Sequence, residues 1–183
     1  MAKLVEQLRE VLQAFTVCRE PPALIGGFAV NVYNVVRATT DIDFLVALSD
    51  ADRLHDALLD LHYQCIYRTD DVANYSRGDE RLDLLYARRP HSVDLLKKAK
   101  SREFSVGSIR VVSVEGLVGF KLQALHNDPS RLRDVDDIRE LLRLNGSQLD
   151  LDQIREYFTL FDRQEWLQQL LEEFRLEYES PEN

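Results

Sequence analysis

Two stretches decide the fold: Ile25-Gly26-Gly27-Phe28-Ala29-Val30, and Arg37-Ala38-Thr39-Thr40-Asp41-Ile42-Asp43-Phe44-Leu45-Val46. In the first, Ala23-Leu24-Ile25 reads as a short buried strand that the two glycines stop. Phe28–Val36 then carries Phe28, Val32, Val35 and Val36 at helical spacing. In the second, Ile42–Leu48 reads as the strongest strand of the chain. Side chains at i and i+2 of a strand share a face, so Asp41 and Asp43 project together while Ile42 points into the core. Two bare carboxylates side by side repel, and a bound cation removes that cost. Hard oxygen ligands in such a pair suit Mg²⁺ or Mn²⁺, which leave their remaining positions to water and phosphate.

Working outward, Leu82-Asp83-Leu84-Leu85 embeds a third acid in an apolar strand, where it needs a partner or a metal. If this strand lies beside 42–48, Asp83 completes a three-carboxylate site. Gly26-Gly27, taken singly, is a plain tight turn. Taken with the acids it forms an anion cradle: glycine backbone lets a ligand come close, and the helix start presents free N–H groups that suit phosphate.

Around this centre the chain alternates strands and helices. Leu4, Val5, Leu8, Val11, Leu12 and Phe15 mark an amphipathic helix over 3–15, and Ser49 and Asp50 suit the N-cap of a helix over Ala51–Leu61. Three β-like runs follow at Cys65–Arg68, Val72–Tyr75 and Leu82–Tyr86, the last two joined by a Gly78-Asp79 turn. Pro90–Ala99 reads as a short helix, and Gly107-Ser108 as the turn of a second hairpin between Phe104–Val106 and Ile109–Ser113. From Val114 the pattern is helical, over 114–126, 131–144, 151–160 and 163–178. This layout is α+β (or α/β), a mixed sheet covered mainly on one side and followed by a helical half. The expected division is a core over 1–112 and a helical subdomain over 113–183 packed on it.

Composition bounds the partners. The 183 residues suffice for a core without disulfides, and 45% hydrophobic with 30% charged is an ordinary globular balance. No apolar run approaches the ~18–20 residues that span a bilayer, and the N-terminus lacks the apolar stretch of a signal peptide. Cys18 and Cys65 lack a redox or zinc spacing and read as reduced thiols, which points to a cytoplasmic protein with no membrane partner. His55, His62, His91 and His126 form no pair at zinc-ligand spacing. The net charge is −9, and residues 147–183 carry 10 acidic side chains against 3 basic ones. Arg88, Arg89, Lys97, Lys98, Lys100, Arg102 and Arg110 form a local basic run, either a solvated face or a phosphate-attracting patch. Trp166 and its neighbouring leucines read as core or a helix–helix contact.

The Gly-Gly turn, the D-x-D strand thirteen residues on and the later strand acid together resemble the nucleotidyltransferase signature of the DNA polymerase β superfamily. The closest likeness is to the AbiEii-type members, with the aminoglycoside nucleotidyltransferases as cousins. Val112 to Leu125, with Lys121, followed by Arg133-Asp134-Val135-Asp136-Asp137-Ile138, is similar to the AbiEii pattern of a Lys-bearing helix and a second helix opening on Arg-Asp. The chain carries glycine where Gly-Ser members have a hydroxyl.

The resemblance implies a five-stranded mixed sheet with a helical half packed on it. It implies Mg²⁺-dependent (or Mn²⁺-dependent) transfer of a nucleoside monophosphate from an NTP to a hydroxyl on a small molecule, a tRNA end or a protein. Asp41 and Asp43 would hold metal against the triphosphate. Asp83 would bind a second metal or take the acceptor's proton. Gly26 and Gly27 would lie near phosphate, Arg37 and Thr40 would touch phosphate or hold Asp41, and Lys121 would neutralise phosphate charge. Asp134 and Asp137, three residues apart on one helix face, would orient Lys121 or Arg37. AbiEii-like proteins are often toxins, so an antitoxin is an implied partner. The alternatives are a non-catalytic nucleotide- or protein-binding module on the same fold, and a structural protein whose acids are surface charge.

Overall fold

The computed structural model describes residues 2–174. Its elements are α1 (Ala2–Ala14), β1 (Ala23–Ile25), α2 (Gly26–Val32), β2 (Asp41–Ala47), α3 (Ala51–Asp60), β3 (Gln64–Arg68), β4 (Val72–Arg77), β5 (Glu80–Ala87), α4 (Pro90–Lys98), β6 (Lys100–Phe104), β7 (Gly107–Val111), α5 (Val114–Asn127), α6 (Leu132–Asn145), α7 (Leu151–Leu160) and α8 (Gln164–Phe174). Residues 175–178 of the expected last helix lie outside the described residues. No helix among them is long and apolar enough to cross a membrane.

The chain forms two compact units, Met1–Ala29 with Arg37–Ser113, and Val30–Val36 with Val114–Asn183. The first holds a mixed sheet ordered β3-β4-β5-β2-β1-β7-β6. Its seven strands exceed the five that the resemblance implied, and six of them overlie the β-like runs of the sequence; β6 starts four residues ahead of the expected Phe104–Val106 run and shares only Phe104 with it, and β3 and β6 complete hairpins at the two edges. β2 runs antiparallel to β1 and parallel to β5. One sheet face carries Ile42, Phe44, Val46, Leu82 and Leu84, each almost wholly buried. The first helix and α3 cover it: Phe15, in the turn after α1, meets Phe44 edge-on at 4.6 Å, and Leu54 and Leu58 of α3 are buried. α4 also lies against parts of β2 and β5.

Two local expectations are corrected. Asp50 precedes α3 without capping it. Its buried carboxylate instead accepts from the backbone N–H groups of Arg19 (3.0 Å) and Glu20 (3.1 Å), tying down the loop before β1. The second hairpin turns at Ser105-Val106, not at Gly107-Ser108. Gly107 opens β7 opposite Phe104 with φ +118°, a conformation that favours glycine. Three members of the basic run are paired within the unit. Arg110 donates to Glu20, to the Pro21 carbonyl and to the last carbonyls of α4, at Leu96 and Lys97. Lys98 pairs with Asp94 at 2.8 Å, and Arg88 lies 3.6 Å from Asp70.

The second unit is helical. Gly119 of α5 lets the Tyr157 ring of α7 lie where a Cβ would be 3.0 Å away. Trp166 of α8 packs on Phe158 of α7 at 5.4 Å. Between α5 and α6 lies a buried ion triad: the Lys121 ammonium donates to Asp134 at 2.8 Å and to Asp137 at 2.6 Å. Burial alone would push the Asp134 carboxyl up, but the Lys121 ammonium and the Arg131 guanidinium outweigh it and hold the group below its ordinary value. A depressed carboxylate stabilises the fold above its unfolded pKa and loses that contribution as pH falls through the folded value.

Lys121→Met removes the cation that Asp134 and Asp137 share inside the unit and is expected to cost about 3–5 kcal/mol at neutral pH. The gap to wild type narrows as the pH falls toward and below 3.8, the ordinary aspartate value, because protonation of Asp134 ends its ion pair with Lys121 in the wild type and removes its buried charge in the variant. Chemical denaturation at several pH values measures both effects.

Candidate active site

The register of β2 against β5 builds the site. Asp43 is the direct partner of Asp83, and Asp41 of Arg81. Partners across a ladder share a face, so Asp41, Asp43 and Asp83 all stand on the face opposite the apolar one. On β5's other side Asn74 of β4 is the partner of Asp83, and its amide donates to Asp83 Oδ1 at 2.7 Å. On β2's other side Asp43 is the partner of Ile25, the residue before the glycines.

Gly26 is required twice over. Its φ of +66° is strained for any side chain, and a Cβ there would lie 2.0 Å from Asp43 Oδ2. The missing methyl is the space that the Asp43 carboxylate occupies. Gly27 is covered differently: a Cβ would stand 2.9 Å from the Arg37 guanidinium and 3.0 Å from Thr39 Oγ1. The loop before β2 therefore folds back over the start of α2. Both glycines are the first residues of that helix rather than a turn ahead of it. The Thr40 hydroxyl donates to Asp41 Oδ1 at 3.0 Å, and Thr39 to the Asp41 carbonyl at 3.3 Å.

The acids share a face without closing on one point. Among the described residues no three His, Cys, Asp or Glu side chains gather tightly enough to hold a metal ion together. Each carboxylate lies against its own neighbour, Asp41 against Thr40, Asp43 against Gly26 and Asp83 against Asn74. The donor set nevertheless fits Mg²⁺ or Mn²⁺: hard carboxylate oxygens from neighbouring strands on one face, whose mutual repulsion a cation would offset. That repulsion is visible at Asp83. Burial pushes its carboxyl above the ordinary value, the Asn74 amide pulls it down, and the negative charge of Asp41 pushes it up again.

Of the residues singled out from sequence, Gly26, Gly27, Arg37, Thr40, Asp41, Asp43 and Asp83 lie in the first unit around this face. Lys121, Asp134 and Asp137 lie in the second, joined to one another. Asn74 and Thr39 escape a reading of the sequence. Asn74 had one available signal: it sits in a strand of otherwise alternating pattern, an amide placed to face a strand-borne acid.

No family model matches the chain, and no curated protein matches it in sequence. Its fold has solved relatives. It superimposes on ANT(2")-Ia in complex with adenylyl-2"-tobramycin with a TM-score of 0.65 at 18% identity, over 87% of this chain and 97% of that one. An antigenic nucleotidyltransferase-like protein from Paracoccidioides brasiliensis gives 0.57 at 18% identity, over 93% and 91%. The lincosamide antibiotic adenylyltransferase LnuA, lincomycin-bound, gives 0.55 at 15% identity, over 77% and 96%.

Asp83→Asn is expected to raise Tm, because it removes an anion that burial and Asp41 both disfavour while still accepting from Asn74. Gly26→Ala is expected to lower Tm, through its backbone and through displacement of Asp43. Calorimetry of the two variants checks both signs. With its mixed sheet, its seven-residue β2–β5 ladder and its helical unit, the chain has a nucleotidyltransferase fold.

Proposed function

We propose that the chain is a Mg²⁺- or Mn²⁺-dependent nucleotidyltransferase that moves a nucleoside monophosphate from an NTP to an acceptor hydroxyl. The single observation that carries this reading is the alignment of Asp41, Asp43 and Asp83 on one sheet face, beside a glycine pair whose missing side chains leave room for Asp43 and Arg37. Such a face suits chemistry in which phosphate charge and a nucleophile's proton are handled side by side.

In this reading Asp41 and Asp43 hold the metal, and Thr40 orients Asp41. When bound, the ion neutralises phosphate charge and polarises the reacting phosphoryl group. Arg37, over Gly27, faces the triphosphate. Asp83, whose carboxyl has an elevated proton affinity, takes the proton from the acceptor hydroxyl. That oxygen forms a bond to the α-phosphorus as the bond to the bridging oxygen breaks, and pyrophosphate leaves with the electron pair. Asn74 keeps the Asp83 carboxylate aimed at the acceptor. Lys121, Asp134 and Asp137 serve the helical unit as a buried brace.

The names of two fold relatives, one carrying adenylyl-2"-tobramycin and one a lincosamide adenylyltransferase, favour a small hydroxylated acceptor. An AbiEii-like toxin acting on a tRNA end or a protein, with an antitoxin partner, is the competing acceptor class. The test is incubation with α-labelled NTPs, Mg²⁺ and cell extract. Wild type is expected to transfer label to an extract component, whereas Asp41→Asn and Asp43→Asn lose about a hundredfold or more of the rate. Equal labelling by all three proteins would remove the assigned roles. NTP binding without transfer by wild type would make the chain a binding module.

A further inference from the structure

The line of acids does not stop at Asp83. Across the sheet the partners run Ile25, Asp43, Asp83, Asn74, Tyr67, one from each of β1, β2, β5, β4 and β3. The last member is there because of an irregularity. Between Cys65 and Tyr67 the β3–β4 ladder slips by one residue. Without that bulge Ile66 would oppose Asn74, and Tyr67 would take the place of Arg68 opposite Ala73, on the face that α3 covers. With it, Tyr67 is carried to the acid-bearing face and into their row. A β-bulge re-aims a side chain at the cost of a ladder interaction, and bulges recur beside active sites for that reason. Tyr67 is 55% exposed, a large aromatic ring left open two strands from Asp83.

The geometry points to Tyr67 as the acceptor-binding residue, its ring stacking on the ring of a glycoside whose hydroxyl is presented to Asp83. This inference rests on the nucleotidyltransferase reading and names the acceptor class for that same site. Two strand spacings separate the Cα atoms of Asp83 and Tyr67, roughly 10 Å, so the occupant has to extend beyond one sugar ring. Its chemistry follows from the row. A sugar offers an apolar ring face for an aromatic ring and hydroxyls for an amide and a carboxylate, and Tyr67, Asn74 and Asp83 supply those three groups in that order. Beyond the triphosphate, which the metal held by Asp41 and Asp43 would offset, a nucleic-acid acceptor would bring further phosphates toward Asp83, against its repulsion. A neutral or cationic glycoside meets no such penalty.

The experiment uses the full chain with α-labelled ATP, Mg²⁺ and three probes: tobramycin, sucrose and a tRNA transcript. Wild type is expected to label at least one glycoside. Tyr67→Ala raises the KM for that glycoside about tenfold, the scale of losing one aromatic stacking partner, and leaves the KM for ATP unchanged. Tyr67→Phe restores the glycoside KM, because the ring is kept. Ile66→Ala, at a more exposed neighbour in the same edge strand, leaves it at the wild-type value. Label on the tRNA alone, no label on either glycoside, or an equal effect of Tyr67→Ala and Ile66→Ala would overturn the proposal. A thermal shift with Mg²⁺ and ATP on wild type separates the two levels. Stabilisation by ATP without a labelled glycoside defeats the glycoside alone, whereas no response to ATP defeats the nucleotidyltransferase reading beneath it.

Discussion

The parallel pairing of β2 with β5 governs the rest of the first unit. Seven consecutive residue pairs hold one register, and it sets Asp43 beside Asp83. Two like charges about 4 Å apart cost about 1 kcal/mol in water and about 4 kcal/mol near a protein surface. Against this stand the side chains of the other face. Ile42, Phe44, Leu82 and Leu84 are essentially excluded from solvent, and each contributes about 1.5–3 kcal/mol on burial. A slip of β5 by one residue against β2 would turn Leu82 and Leu84 outward and Asp83 inward. Hydrophobic burial therefore outweighs the repulsion, and the core on one face enforces the placement of charge on the other.

The same logic explains the glycines. β1 is only three residues long and buried throughout, so it has no freedom to move away from β2. Its last residue, Ile25, is the partner of Asp43, and the chain has to leave the sheet at once into α2. A residue at position 26 with a side chain would meet the Asp43 carboxylate head-on. Glycine at that position is thus a consequence of the acid, and the two are one device. Thr39, Thr40 and Arg37 arrive from the loop before β2 and close over the helix start, so the short interval between α2 and β2 supplies partners to both ends of the site.

Legibility in the sequence follows from what each signal depends on. Asp41, Asp43 and Asp83 could be read because strand periodicity is local: an acid amid leucines at period two declares its face. The Gly78-Asp79 turn was legible for the same reason. Asn74 was not, since an asparagine in a strand takes its meaning from the acid opposite, and the pairing of β4 with β5 is a long-range fact. Tyr67 was harder still, because its face is reversed by a bulge that no residue pattern announces. Asp50 misled because an acid before a helix suits a cap, whereas burial and two unpaired N–H groups from Arg19 and Glu20 drew it elsewhere. The hairpin turn was displaced by two residues because Gly107 does its work inside the ladder.

Solvent access varies along the row of side chains that crosses the sheet. Ile25 is 6% exposed, Asp43, Asp83 and Asn74 are half-buried, and Tyr67 is more than half exposed. Proton affinity of a carboxylate rises with desolvation, but a carboxylate sealed from solvent receives no acceptor. The middle of the row reconciles the two demands. Asp83 is covered enough for burial to raise its carboxyl and open enough for a hydroxyl to reach it. A position one strand inward would lie against the glycine bend, and one strand outward would lose the charge of Asp41. In the proposed reading, that half-buried setting on β5 suits Asp83 to accept a proton.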